Sequence, residues 1–279
     1  MRRFLAILTM FASGAAAAYA QELPTQSWIS TPDGPRPLSM TEAPYWNAVG
    51  RLDTGVSFCS GTLIAPDLVL TAAHCLYHPR TDERFAPTDF TFSAGLRNGQ
   101  PQAIRRVRSA VALEGYRPDI GEDLEMIGRD LAVLQLQHPI GGTNVVPMAT
   151  GDAGRARDPM VIVSYGEDRE AHASIEEGCE VLGSAGSVRS LSCQVVSGSS
   201  GSPVLRVVNG RPEIVAVVSA SAEVGGEAVS LVVVLDEHLN ELMSREHTNG
   251  VMTSTTSGAL FLGVGNDGRD DIGARFIRP

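Results

Sequence analysis

Three short blocks carry residue types that could perform nucleophilic chemistry: "LTAAHC" from Leu70 to Cys75, "RDLAVLQL" from Arg129 to Leu136, and "SGSSGSPV" from Ser197 to Val204. A serine hydroxyl attacks only after a base takes its proton, and an imidazole serves as that base only when held in one orientation. Of the six histidines, at 74, 78, 138, 172, 238 and 247, only His74 sits in a frame that would hold it: Cys59 and Cys75 flank two strand-like runs and the turn Thr71-Ala72-Ala73. Asp130, just ahead of the apolar run Leu131 to Leu136, is placed to lie buried against an imidazole and stabilise its cation. An isolated aspartate before a strand is more often a cap; here the other two blocks give it a partner. The frame G-x-S-G-x-P fits one register, Gly198-Ser199-Ser200-Gly201-Ser202-Pro203, which makes Ser200 the nucleophile. Glycines on both sides let the amides of Gly198 and Ser200 converge on a developing oxyanion.

Rival chemistries fit less well. His74 and His78 in "HCLYH" have helical spacing, but Cys75 stands where a zinc protease needs glutamate, and no CxxC occurs, so no metal and no other cofactor is expected. All 22 basic residues are arginine, which excludes lysine Schiff-base chemistry. The α/β-hydrolase elbow G-x-S-x-G fails at Ser202, a strand-like "PVLRVV" follows where that fold needs a helix, and the order would have to be Ser, Asp, His.

The elements that must position these residues are short strands. Runs such as "WNAVGRL", "SFCSGTLIA", "LVLTA", "DFTFSAG", "AIRRVRSAVAL" and "LAVLQL" form one group. After the long connection from His138 to Pro159 come "MVIVSYG", "CEVLGSAG", "LSCQVV", "SPVLRVV", "EIVAVVSASA" and "AVSLVVVL". Leu235, Leu239 and Leu242 then mark one amphipathic helix.

At the amino end, "MRRFLAILTMFASGAAAAYA" has a basic start, an apolar stretch shorter than a membrane span, and Ala18-Tyr19-Ala20 as a cleavage site, the pattern of a secretory signal. Its removal leaves 20 basic against 32 acidic residues, which argues against a nucleic-acid partner. Export favours oxidised thiols; of the three connectivities open to Cys59, Cys75, Cys179 and Cys193, the simplest pairs Cys59 with Cys75 and Cys179 with Cys193. Segment boundaries follow: 1–20 signal, 21–40 pro-segment or loose arm, 41–145 and 146–235 β-rich units, 236–248 helix, and a 249–279 tail without an assigned role.

The three blocks, in the order His, Asp, Ser, resemble the signature blocks of the trypsin/chymotrypsin-like serine proteases, and the G-x-S-G-S-P form is similar to their bacterial branch. The resemblance covers roughly 45–235. It implies an all-β fold of two perpendicular six-stranded antiparallel β-barrels with a C-terminal helix, and a triad of His74, Asp130 and Ser200 in the cleft between them. The implied product is a secreted or periplasmic monomer that hydrolyses protein or peptide substrates through an acyl-enzyme, with no membrane attachment once the signal is gone. A catalytically inactive homologue that binds peptides is the competing expectation. The resemblance also places the primary pocket along Gln194, Val195 and Val196, with Ser219, Ala220 and Ser221 lining the substrate's path. No fixed charge stands among them, which implies cleavage after small or medium uncharged residues. One departure is plain: the aspartate that precedes the nucleophile in trypsin-like zymogens is Ser199 here, and the arm lacks an Ile-Val-Gly-Gly tetrapeptide, so the usual activation switch should be absent.

Overall fold

The computed structural model describes residues 34–118, 123–153, 158–251 and 275–277. The segment read as a signal, and most of the arm and the tail, lie outside the described residues. Order begins ahead of Tyr45: β1 (Arg36–Pro37) pairs with β10 (Ser174–Cys179), and the Arg36 guanidinium clasps Glu42 at 2.7 Å and Glu177 at 2.9 Å. That hydrogen bond from Arg36 holds the Glu42 carboxyl down at about 2.

The first unit is a closed barrel in the order β2 (Val49–Asp53), β3 (Phe58–Ala65), β4 (Leu68–Thr71), β7 (Ala132–Leu136), β6 (Ala103–Ala112) and β5 (Thr91–Ala94). Alternate residues of these strands, Leu52, Leu63, Leu70, Phe92, Val107 and Leu134 among them, fill its interior and are almost wholly buried. Closure leaves this barrel no free edge.

The second unit is a ten-stranded sheet. Its main path runs β1, β10, β9 (Met160–Ser164), β13 (Pro203–Val208), β14 (Arg211–Val224), β15 (Glu227–Val234), β12 (Val188–Leu191) and β11 (Val181–Ala185). Two further strands, β8 (Ala149–Thr150) and β16 (Arg275–Ile277), pair with β14 off that path. The strand count exceeds the six expected because short edges from the arm, the connection and the tail join the sheet and because β10, over "SIEEGC", is a further strand that the sequence reading did not mark. Another difference lies at "LSCQVV": β12 ends at Leu191 and Ser192 to Val196 are loop, since the Gln194 amide is taken by a carboxylate instead of a strand partner.

Helix α1 (Leu124–Ile127) is one turn, capped by the Asp123 side chain accepting from the Glu125 amide. Helix α2 (Asp236–Val251) begins where expected and extends three residues further. Its leucine stripe buries Leu242 beside Leu235, and Glu241 and Arg245 engage the first unit at Glu114, so the helix ties the end of one unit to the other. Among the described residues no helix is long and apolar enough to cross a membrane.

Candidate active site

His74 opens a single 3-10 turn, His74–Leu76, directly after β4. Cys75 and Leu76 point into the core and Cys75 is bonded to Cys59 on β3, with 6.2 Å between Cα atoms. The imidazole is thereby left half-buried on the outer side of the turn. Asp130 follows α1, its amide donating to the Ile127 carbonyl at 3.0 Å, and only 2% of the residue is exposed. Its carboxylate grips His74 twice: one oxygen accepts from the His74 backbone amide at 2.8 Å, the other meets Nδ1 at 2.7 Å. The second oxygen also accepts from Ser219 Oγ at 2.5 Å. A buried carboxylate with three donors around it favours Nδ1–H on the ring and makes Nε2 the nitrogen that can take a proton.

Ser200 comes from the other unit. The loop before β13 reaches the first unit through its backbone, the Ser60 amide on β3 donating to the Ser200 carbonyl at 2.8 Å, while the Gly201 amide donates to the Val218 carbonyl of its own unit at 2.8 Å. Two glycines permit the approach. Both have positive φ, and a Cβ at Gly201 would fall 2.1 Å from Thr71 Oγ1 and 3.1 Å from the Ala72 amide, within three residues of His74. A Cβ at Gly198 would strike the Phe58 ring at 2.2 Å. Ser60, fully buried on β3, completes the seam by donating to the Gly198 carbonyl at 2.9 Å and accepting from the Tyr165 amide at 3.0 Å.

Beneath this loop lie two charged residues that the sequence reading missed. The Glu176 carboxylate, on β10, accepts from the Gln194 amide at 3.1 Å and 3.2 Å, and burial pushes its pKa up to about 7. Arg169, in the turn after β9, donates to Ser164 Oγ at 3.2 Å and Ser199 Oγ at 3.4 Å; burial lowers its pKa, and the charge of Glu176 works against that shift. Ser199, itself fully buried, is thus met by an internal arginine. "SIEEGC" gave no signal for this, because paired glutamates read as surface.

Of the residues expected along the pocket, Gln194 is exposed, Val195 half-buried and packed on the second core beside Val218, and Ala220 and Ser221 lie half-buried on β14. Ser219 does more than line a path, since its hydroxyl is engaged by Asp130. Cys179 and Cys193 are bonded as the local pairing anticipated, 5.1 Å apart at Cα. Cys59, His74 and Cys75 cluster closely enough to suggest metal ligands, but both sulfurs are bonded to each other.

A family model described as trypsin-like peptidase domain matches residues 59–217, more than half of the chain and both units of the site. The chain belongs to the trypsin-like peptidase family. Similar to this trypsin-like peptidase are a vitellin-degrading protease of Bombyx mori, 32% identical over 38% of this chain and 36% of the relative, and mannan-binding lectin serine protease 1 of Rattus norvegicus, 28% identical over 46% of this chain and 19% of the relative. The chain thus spans about a third or less of the length of these relatives. A solved structure of a Glu endopeptidase in complex with MPD superposes with a TM-score of 0.65, at 20% identity, over 78% of this chain and 99% of that one; it establishes likeness of fold.

Proposed function

We propose that this trypsin-like peptidase is an exported serine endopeptidase. Ser200 Oγ attacks the scissile carbonyl while His74 Nε2 takes its proton, and the amides of Gly198 and Ser200 receive the charge on the carbonyl oxygen. Collapse breaks the peptide bond, the leaving amine carries away the proton from His74, and an acyl group remains on Ser200. Water, deprotonated by His74, then releases the acid and restores the serine. The observation that carries this reading is the double grip of Asp130 on His74, through the ring and the backbone amide together, beside a loop whose glycines bring Ser200 to the same turn. The nearby Glu176 supplies no free charge to a substrate side chain, since it accepts from Gln194 and faces the charge of Arg169. An uncharged residue before the scissile bond therefore remains the favoured substrate.

A fluorophosphonate probe tests the reading. The protein should label at Ser200 and cleave a casein-type substrate, and Ser200→Ala should abolish labelling and lower cleavage by roughly 10⁴-fold or more. Equal behaviour of the two proteins would overturn it.

A further inference from the structure

Strand β14 changes neighbours along its length. On one side β15 accompanies it from Ala216 to Val224. On the other, β13 pairs with it only as far as Val217 and then gives way to the loop that carries Ser200; Val218 closes that stretch by bonding to Gly201 and Ser202. From Ser219 onward β13 therefore no longer accompanies this side of β14, and that stretch starts at the proposed catalytic centre, because Ser219 is the residue bound to Asp130. An unpaired strand edge is a template for an extended peptide.

The chain's own tail uses that edge. β16 pairs antiparallel with β14 in the register Glu223 with Arg275, Ala222 with Phe276 and Ser221 with Ile277. Its direction is informative: from Arg275 to Ile277 it advances from the far end of the edge toward Ser219. A substrate delivering its carbonyl to Ser200 must run the same way, with the residues before the scissile bond laid along Ser221, Ala220 and Ser219.

We propose that residues 275–277 are an internal occupant of the acyl-side substrate cleft, so that the tail competes with peptide substrates for the Ser221–Glu223 edge and restrains the enzyme. The inference rests on the protease reading above. Tethering makes it effective: a three-residue strand binds weakly from solution, but a covalent link raises its local concentration toward the millimolar range. Residues 275–277 pair no nearer to Ser219 than Ser221, so a substrate spanning only Ser219 and Ala220 does not compete with them.

Removal of residues from Arg275 onward tests this. With a peptide substrate extending at least five residues before the scissile bond, the truncated protein should show a KM about 10-fold lower than the full chain with kcat little changed. A single-residue ester should be hydrolysed at the same rate by both, and fluorophosphonate should label both equally. Phe276→Pro, which removes a strand donor in the full-length chain, should reproduce the truncation and decides the matter if the shortened protein folds poorly. A synthetic peptide of sequence ARFIRP should inhibit the truncated form competitively. Equal KM values for the long peptide in full-length and altered chains, or no inhibition by added peptide at roughly millimolar concentration, would overturn the proposal. Failure of both chains to label would instead overturn the protease reading.

Discussion

Glu176 shows how one residue can shape both stability and site. It is 6% exposed, and burial outweighs both the Gln194 amide and the charge of Arg169 in setting its protonation, so that its pKa stands near 7 against an ordinary 4.5. The folded state therefore holds the proton more tightly than the unfolded chain. No cost attaches to this below pH 4.5; stability falls as pH rises from 4.5 to about 7, and the loss is complete above that. Glu176→Gln keeps an oxygen for the Gln194 amide without the titration. Its stability relative to the parent should improve by roughly 1–3 kcal/mol between pH 4 and pH 8. Urea unfolding at several pH values checks this, and a pH-independent difference would contradict it.

At the scale of elements, the site depends on how β3, β4 and the His74 turn are fastened. The turn has only three residues and no side-chain cap; the Cys59–Cys75 bridge and the buried Leu76 hold it. Replacing both cysteines by serine should cost about 3 kcal/mol of stability through the freed loop. Activity should drop as well, by about 10-fold or more in kcat/KM, because the imidazole loses its fixed approach to Ser200. Thermal unfolding and steady-state kinetics, both run well below the variant's Tm, separate the two effects. Unchanged kcat/KM in a destabilised variant would show that Asp130 alone suffices to hold the ring.

Across the whole molecule, the proposed catalytic residues meet at a seam. His74 and Asp130 border the first barrel and Ser200 the second sheet, and Ser60 ties them with contacts to Tyr165, Gly198 and Ser200. Ser60→Ala leaves the buried Tyr165 amide and Gly198 carbonyl without this hydroxyl, at an expected cost of about 1–3 kcal/mol. The backbone bond to Ser200 survives, so the variant should stay folded while kcat falls, since the carbonyl of Gly198, the residue whose amide is proposed to meet the oxyanion, is no longer pinned. A loss of stability with kcat intact would place the tie outside the chemistry.

The candidate triad could be proposed from the chain because its frames demand particular residues at particular positions: an alanine turn before His74, an apolar strand after Asp130, glycines around Ser200. The six strands of the first barrel and the leucine stripe of α2 were legible for a similar reason, as local periodicity records which face is buried. Tertiary structure decided what depends on distant segments meeting. Nothing in "SIEEGC" marks Glu176 as the partner of the Gln194 amide, and nothing near Arg169 points to Ser199, since both contacts arise only when β9 and β10 bring those residues under the loop. Ser219 on Asp130, Phe58 beneath Gly198 and the tail strand on β14 are of the same kind. A sequence specifies what each residue can offer, whereas burial and pairing across the seam fix what each one meets.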